Sequence, residues 1–403
     1  MVVDAISLRF SLVLDQIFAL MPREVEVNQP LSNSPPREVS PRRIPNRVNS
    51  SFAARLRRDP TSTEESDEPR YSVWYLLYQV TRLFCWVGCP PVPELITRKV
   101  AFHPRKAKEN YFLMGKPTHE GEEIVLDSLH EIKKMKSVHL APARKPHRAL
   151  EHNYAWLQDQ RSSEVFTTKT KQGSQLLGLW VKSNCRWVQS HSRSNRVILF
   201  SDSNASDLGH WIHQGAILGK SLKGLADFLC ADVVGYDYSG FGYSTGTACE
   251  RNIYADVEAI YNHILKTRGD DVEIVLMGFS MGTAASIDLA SKQPKKLVGL
   301  VLVAPFASAF GATSKDPDNV GCFCLNRFLS IDKVAHITVP TLLIHGSKDW
   351  ISIKNSHALE RRLPNPVEPL YVEGRDHCDI LDDPKVAERV WEYVFNETRV
   401  QKQ

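Results

Sequence analysis

The sequence lacks long apolar stretches that are free of charge. Nowhere do eighteen apolar residues follow one another without a charged residue, so no membrane-spanning helix is predicted. Residues 1–21 are partly apolar, but Asp4, Arg9 and Asp15 interrupt them. The uncharged piece after Arg9 is too short for the apolar region of a secretory leader. We therefore expect neither a transmembrane helix nor a cleaved leader.

Cysteine is sparse, and charge of neither sign dominates. The 8 cysteines among 403 residues are irregularly spaced, which predicts no disulfide framework and favours a reducing, cytosolic environment. Cys322 and Cys324 have no second pair at metal-ligand spacing, so no zinc site is expected, and no cofactor is predicted. The net charge of +4 gives no reason to expect a nucleic-acid partner. Nothing in the sequence indicates an oligomeric state.

Composition divides the N-terminal region into two parts. Residues 1–70 are mostly rich in proline, serine and charge and poor in aromatics, which predicts a mostly disordered arm. Residues 71–110 begin with six aromatics and one charged residue, Arg82, between Tyr71 and Pro93, and a basic flank follows. Aromatic and basic side chains favour the membrane interface, so we expect this segment to lie on a membrane surface. A helix packed on the folded domain is the alternative.

Two cysteines give this segment a possible chemical anchor. Cys85 and Cys89 lie among its aromatic residues and are candidates for reversible S-acylation. A single acyl chain binds a membrane only marginally, whereas two chains with basic residues would hold the protein stably. Residues 111–155, which follow, are charged and weakly patterned, and we predict a loop-rich connection there.

Residues 156–398 show short buried strands that alternate with helical patterns. Eight strands are predicted at 165–170, 176–182, 196–200, 232–236, 274–277, 299–303, 341–344 and 370–372. Helices are predicted at 208–229, 250–266, 281–292 and 384–395. The first two strands flank Gly173 as a hairpin, and the alternation beyond them predicts a mostly parallel sheet with helices on both faces. The predicted class is α/β, with the arrangement of an α/β-hydrolase.

The pentapeptide Gly278-Phe279-Ser280-Met281-Gly282 stands between an apolar β-type run and a helical pattern. An α/β-hydrolase places its nucleophile on such a Gly-x-Ser-x-Gly turn between a strand and a helix. Ser280 is therefore the predicted nucleophile, and the backbone N–H of Met281 is a predicted oxyanion donor. An ordinary strand–helix turn is the alternative, since the pentapeptide alone is weakly specific.

A carboxylate and an imidazole follow the ends of two later strands. The chain order Ser280, Asp349, His377 is that of α/β-hydrolases, and catalytic groups gather at the carboxyl edge of a parallel sheet. His377 would act as the general base, and Asp349 would fix its tautomer. Asp376 and Asp379 are less favoured as the acid, because neighbours in sequence cannot readily reach back to the ring. Two further candidates are given structural roles, His345 and Cys378.

From Phe84 onward the chain resembles the alpha/beta-hydrolase domain-containing 17 family of membrane-anchored protein depalmitoylases. Four stretches carry the resemblance, at 83–102, 236–242, 250–256 and 367–374. It implies a serine thioesterase that removes palmitate from S-acylated proteins through an acyl-serine intermediate, with Ser280, Asp349 and His377 as the triad. It also implies that the backbone N–H of Asn204 is the second oxyanion donor.

The resemblance further implies where the protein acts and on what. Its substrates would be S-palmitoylated membrane proteins, and its second partner would be the membrane surface itself. It would be a peripheral membrane protein on the cytoplasmic face of the plasma membrane, of endosomal membranes, or of both.

The chain departs from the family pattern in front of Asn204. The family has His-Gly where this chain has Asp202-Ser203. If residue 203 requires a positive φ, serine costs about 1–2 kcal/mol there, and a carboxylate at 202 would repel an oxyanion. Losing one oxyanion donor typically slows a reaction about 10²- to 10³-fold. A catalytically impaired scaffold with this fold is therefore an alternative, and a lipid esterase or lipase with the same triad is another.

Overall fold

The structure is a computed structural model, and it describes residues 98–99, 101–117, 122–143, 154–185, 195–213, 221–319 and 326–398. Several predicted features lie outside the described residues: the arm at 1–70, most of the predicted surface segment at 71–110 with Cys85 and Cys89, and the pair Cys322 and Cys324.

Two sheets organise the described part of the chain. A small antiparallel sheet, in the order β2–β1–β3, consists of Tyr111–Pro117 (β1), Ile124–Val125 (β2) and Met135–Pro142 (β3). The main sheet consists of Ser163–Lys169 (β4), Gln175–Val181 (β5), Arg196–Ser201 (β6), Asp232–Tyr236 (β7), Glu273–Phe279 (β8), Leu297–Val303 (β9), Thr341–Gly346 (β10) and Leu370–Val372 (β11). Its strand order is β11-β10-β9-β8-β6-β7-β5-β4.

The main sheet confirms the predicted fold class. Strand β5 runs antiparallel to both neighbours, and the other neighbouring strands pair in parallel. All eight predicted strands are present with small shifts at their ends, and the first two form the predicted hairpin. Central strands are apolar on both faces, as in β6, because the sheet is covered on both sides. The fold is that of an α/β-hydrolase.

Besides the helical residues 98, 99 and 101, the described ranges contain the α-helices Ala155–Gln158 (α1), Leu208–His213 (α2), Leu222–Phe228 (α3), Glu250–Arg268 (α4), Met281–Ala290 (α5), Lys354–Glu360 (α6) and Pro384–Glu392 (α7). Helix α4 buries Ile253, Val257, Ile260 and Ile264 at helical spacing in the core on one side of the sheet.

The single helix predicted over 208–229 is instead two helices, α2 and α3. Helix α6 was not predicted. None of the helices in these ranges combines the length and apolar character that a bilayer crossing needs.

The prediction of a loop-rich connection at 111–155 is wrong. The strands of the small sheet lie at 111–117, 124–125 and 135–142 within it, and apolar side chains of this sheet pack in one core cluster with side chains of the main sheet. Strand β1 alternates buried and half-buried residues, and β3 is its antiparallel partner. The pairing of β1 with β3 joins residues 18 to 31 positions apart, and local pattern does not reveal such a tertiary contact.

Hydrogen bonds fix the small sheet to the loop after β7. The Tyr111 hydroxyl donates to the carboxylate of Asp237, and the Leu113 N–H donates to the Tyr243 hydroxyl at 3.1 Å. Burial, together with the nearby Asp207 carboxylate, raises the pKa of Asp237 to about 7. The loop at 237–246 is therefore held from the side of the small sheet as well as by its own strand.

One disulfide joins the described residues Cys185 and Cys230 across a separation of 45 residues. It connects the chain after β5 to the chain before β7, and these strands are neighbours in the sheet. Irregular cysteine spacing did not indicate this pair. Disulfides persist mainly in oxidising compartments, so this bond runs against the reducing environment that the cysteine count favoured.

Asp256 in α4 gives the fold a measurable pH dependence. Its buried carboxylate accepts hydrogen bonds from the N–H and the hydroxyl of Ser239 at 2.7 and 2.6 Å. Burial dominates these bonds and raises the pKa of the carboxyl group to about 7. The folded value lies above that of the unfolded chain, near 3.9. The contribution of this group to stability is therefore complete below about pH 4 and is lost as the pH rises through about 7.

We predict that Asp256→Asn flattens this dependence. The amide can accept from the Ser239 N–H and donate to its hydroxyl, so both bonds survive. Between pH 5 and 8 the free energy of unfolding should fall less in the variant than in the wild type, by at most about 3 kcal/mol. Urea unfolding at the two pH values measures the difference, and Asp237 is unchanged in both proteins. Identical pH slopes would contradict the assignment.

Candidate active site

The turn between β8 and α5 carries Ser280 in a strained conformation. Ser280 has φ 53° and ψ −118°, a region that residues with a side chain rarely occupy. Its N–H donates to the Val303 carbonyl at 3.0 Å, and its carbonyl accepts from the Thr283 N–H at 3.0 Å. These bonds hold the turn in a geometry that local preference alone would not choose.

The two glycines of the pentapeptide are required by close backbone contacts. A Cβ added to Gly278 would lie 2.4 Å from the carbonyl oxygen of Gly282. A Cβ added to Gly282 would lie 1.9 Å from the carbonyl oxygen of Ser201. Both obstacles are backbone atoms, so neither can swing aside. The end of β6 and the first turn of α5 can approach this closely only because these positions lack side chains.

A chain of hydrogen bonds joins Ser280, His377 and Asp349. Nε2 of His377 lies 2.9 Å from the Ser280 Oγ, and Nδ1 lies 2.8 and 3.0 Å from the two carboxylate oxygens of Asp349. Ser280 is 6% exposed, and the Asp349 side chain is fully buried. The structure thus brings together all three predicted triad residues. Such an arrangement can move a proton from the serine hydroxyl to the imidazole, with the carboxylate fixing the tautomer.

The two alternative acids, Asp376 and Asp379, form hydrogen bonds within their own turn. The Asp376 carboxylate accepts from the N–H groups of Cys378 and Asp379, and the Asp379 carboxylate accepts from the Asp376 N–H. Both carboxylates are therefore used in the turn that carries His377. Arg375 reinforces this turn through ion pairs with Asp379 and Asp383 at 3.2 and 2.8 Å.

His345 has the structural role predicted for it. The ring is buried, with Nδ1 2.7 Å from the Ser356 hydroxyl and Nε2 2.8 Å from the Ile351 carbonyl. Nε2 must donate to the carbonyl, so Nδ1 accepts from the hydroxyl. Burial lowers the pKa of His345, which keeps it neutral 3.6 Å from the Asp349 carboxylate. The neutral ring leaves the charge of Asp349 available to His377.

Two aromatic rings flank the imidazole of His377, and sequence reasoning did not identify either. Phe279 stacks on it with ring centroids 5.2 Å apart, and Trp350 lies tilted at the same distance. Trp350 is 52% exposed, which is unusual for so large an apolar side chain. Each ring follows or precedes a triad residue in sequence, and that adjacency was the only signal available. Aromatic faces attract a cation within about 6 Å, so both rings would favour the imidazolium that forms during acyl transfer.

The two predicted oxyanion donors lie at the same edge of the sheet. Met281 begins α5, and the first N–H groups of a helix lack partners within the helix and favour negative charge. Asn204 follows β6, whose last residue, Ser201, pairs with Gly278 of β8. The Asn204 side-chain amide donates to the Ala101 carbonyl at 2.9 Å, which leaves its backbone N–H as the group to consider.

The structure removes one premise for an impaired site and shows where the carboxylate of the other premise lies. Ser203 is not among the described non-glycine residues with positive φ, so serine carries no left-handed penalty there. The Asp202 carboxylate is buried and accepts hydrogen bonds from the Trp211 indole and the Ser203 N–H. Burial raises the pKa of Asp202. The replacement of His-Gly by Asp-Ser is thus accommodated within the loop and α2.

Cys378 follows the imidazole and is exposed, not buried in the core. Partial burial and the nearby carboxylates, Asp376 first, raise the pKa of its thiol. A raised value favours the thiol over the reactive thiolate. Among the described residues, no cluster of histidine, cysteine and carboxylate side chains could hold a metal ion.

Comparison with known proteins finds a family model and several relatives that match this chain. Residues 227–314 match the family model described as serine aminopeptidase, S33. Alpha/beta hydrolase domain-containing protein 17C of Xenopus laevis is 34% identical over 321 residues, covering 78% of this chain and 94% of that protein. Alpha/beta hydrolase domain-containing protein 17B of Homo sapiens is 32% identical over 323 residues, covering 79% and 96%.

Two solved structures are similar to this chain at low identity. An esterase of Pyrococcus furiosus is 16% identical with a TM-score of 0.44, and the match covers 58% of this chain and 89% of the esterase. A proline iminopeptidase of Mycobacterium smegmatis is 14% identical with a TM-score of 0.46, covering 58% and 99%.

Trp350 provides a test of the aromatic contacts. We predict that Trp350→Leu lowers kcat/KM for a small activated ester about two- to fivefold, because the imidazolium loses a contact worth about 0.5–1 kcal/mol. Trp350→Phe keeps an aromatic face and should retain most of the activity. Trp391→Leu, at an exposed tryptophan on α7, is the matched control and should change nothing. Equal rates for the leucine and phenylalanine variants would contradict the prediction.

Proposed function

The chain belongs to the family of alpha/beta hydrolase domain-containing 17 proteins, and from that premise we propose that it is a serine thioesterase that removes palmitate from S-acylated proteins. Family and fold make it a hydrolase. The finer activity is supported by the hydrogen-bonded line from Asp349 through His377 to Ser280, and by the resemblance of its N-terminal stretch to a cysteine-rich anchor.

The geometry assigns a role to each group in the first half of the reaction. The Ser280 Oγ attacks the thioester carbonyl carbon while its proton passes to Nε2 of His377. The carbonyl oxygen becomes an oxyanion that the N–H groups of Met281 and Asn204 would stabilise. When the intermediate collapses, the C–S bond breaks and the departing sulfur takes the proton from His377. The substrate protein leaves with a free thiol, and palmitate remains as an ester on Ser280.

Water completes the cycle by the same route. His377 removes a proton from a water molecule, whose oxygen attacks the acyl carbon on Ser280. Collapse of the second intermediate returns the proton to the Ser280 Oγ and releases palmitic acid, which ionises in water. Asp349 stabilises the imidazolium in both halves, and no redox or transferable group is consumed.

A palmitoylated substrate lies at a membrane, and the enzyme would be held there too. We propose a peripheral protein on the cytoplasmic face of the plasma membrane, endosomal membranes, or both, attached through Cys85, Cys89 and the neighbouring aromatic and basic residues. Attachment raises the effective concentration of membrane-bound substrates without any new contact. The disulfide between Cys185 and Cys230 argues against a cytoplasmic placement, because disulfides persist mainly in oxidising compartments.

We predict that Ser280→Ala abolishes both labelling by a fluorophosphonate and turnover of a palmitoylated peptide, because the nucleophile is lost. Cys378→Ser is the matched control: it changes the exposed thiol next to His377 and should keep both activities. Turnover of a long-chain glyceride ester is measured in parallel. A wild type that is folded but unlabelled would end the case for a serine hydrolase. Preference for the glyceride would replace the thioesterase with a lipase.

Membrane attachment has its own test. We predict that the double variant Cys85→Ser/Cys89→Ser moves the protein from the membrane pellet to the soluble fraction, because both acylation sites are lost. Cys249→Ser, at a cysteine in the folded domain, is the control and should remain in the pellet. If the double variant stays in the pellet, the aromatic and basic residues hold the protein and acylation at these sites does not.

A further inference from the structure

Residues 101–105 make three hydrogen bonds to the loop that carries the predicted second oxyanion donor. The Asn204 side-chain amide donates to the Ala101 carbonyl at 2.9 Å. The His103 N–H donates to the Asn204 carbonyl at 3.0 Å. The Arg105 Nε donates to the Ala205 carbonyl at 3.0 Å. Two consecutive residues of the loop are therefore bonded to a segment about a hundred positions earlier in the chain.

The segment itself is fixed in the core on its other side. Phe102 is 3% exposed, and its ring centroid lies 5.8 Å from that of Phe328. The carbonyl of Arg105 accepts from the Gly242 N–H at 2.9 Å. Because it is held at both ends, the segment can restrain whatever is bonded to it.

The loop is also restrained on the side of the nucleophile. The Ser201 carbonyl packs against Gly282 so closely that a Cβ there would lie 1.9 Å away. The Asp202 carbonyl accepts from the buried Tyr238 hydroxyl at 2.9 Å. Residues 201–205 thus lie between the turn of Ser280 and residues 101–105. The first part of this loop is fixed by the sheet and Tyr238, whereas the second part depends on residues 101–105.

We propose that residues 101–105 are a positioning element for the reaction, a brace that orients the backbone N–H of Asn204 toward the oxyanion. This inference rests on the proposed function, because it assumes that Ser280 forms a tetrahedral intermediate. An amide side chain suits position 204, because it donates to the Ala101 carbonyl while its backbone N–H stays available. The brace touches no reacting atom and acts through Asn204. A misplacement of about 1 Å at such a donor costs up to 10²-fold in rate.

The test removes brace bonds from the full chain while leaving every backbone N–H in place. Asn204→Ala deletes the bond to Ala101, and Arg105→Met deletes the bond to Ala205 while keeping an unbranched side chain. Arg161→Met is the matched control, since both arginines are exposed and ion-paired, Arg105 with Glu109 and Arg161 with Asp159 outside this loop. Fluorophosphonate titration counts functional sites, so that kcat is expressed per competent site.

For p-nitrophenyl acetate, Asn204→Ala should lower kcat about tenfold with KM within about twofold, and Arg105→Met should act in the same direction with a smaller effect. The affinity for phenylboronic acid, which mimics the tetrahedral intermediate, should fall in parallel with kcat. Amide hydrogen exchange at 202–206 should quicken in both variants and stay unchanged in Arg161→Met.

The outcomes separate the brace from the function it serves. An active wild type, with brace variants that keep wild-type kcat and boronate affinity, would overturn the brace and leave the hydrolase intact. A loss of competent sites at unchanged kcat per site would make residues 101–105 structural only, and would also overturn it. A wild type that neither reacts with the fluorophosphonate nor hydrolyses the ester would remove the proposed function, and the brace with it.

Discussion

The hydrogen bond between Nε2 of His377 and the Ser280 Oγ is the interaction on which the rest of the site depends. It joins groups that are 97 positions apart in sequence, and neither group alone is reactive near neutral pH. The bond exists because β8 and β11 end at the same edge of a parallel sheet, and because the turn after β8 lifts the serine out of the strand. Asp349, from the end of β10, completes the line.

The energetic cost of this arrangement is met by the surrounding packing. Ser280 occupies a strained φ, and the turn is possible only because Gly278 and Gly282 let backbone approach backbone. Tight contact with the end of β6 then fixes the loop at 201–205, so the nucleophile and the oxyanion loop are parts of one packed unit. Hydrogen bonds join residues 101–105 to this loop, so this earlier segment of the chain is part of the same packed unit.

The sequence predicted what depends on local pattern and chain order. The eight strands, the hairpin at β4 and β5 and the three triad positions could be read from apolar runs and from a short motif, because each buried strand has its own apolar signature. The small sheet at 111–142 could not, since its stability comes from pairing between distant strands and from bonds such as Tyr111 to Asp237. The disulfide and the aromatic rings on His377 also arise from tertiary proximity alone. The condition under which Ser203 would strain its loop, a positive φ, is not met, and the sequence could not show this because φ at that position is set by the packing around it.

The central claim is that the reaction forms an acyl ester on Ser280, and one measurement tests it directly. The full-length protein is mixed with a palmitoylated peptide, quenched in acid within the first turnover, digested and analysed by peptide mass spectrometry. The account predicts a palmitoyl group on the peptide that contains Ser280, with none on the peptide that contains Cys378. Thioester hydrolysis without any acyl group on Ser280 would contradict it.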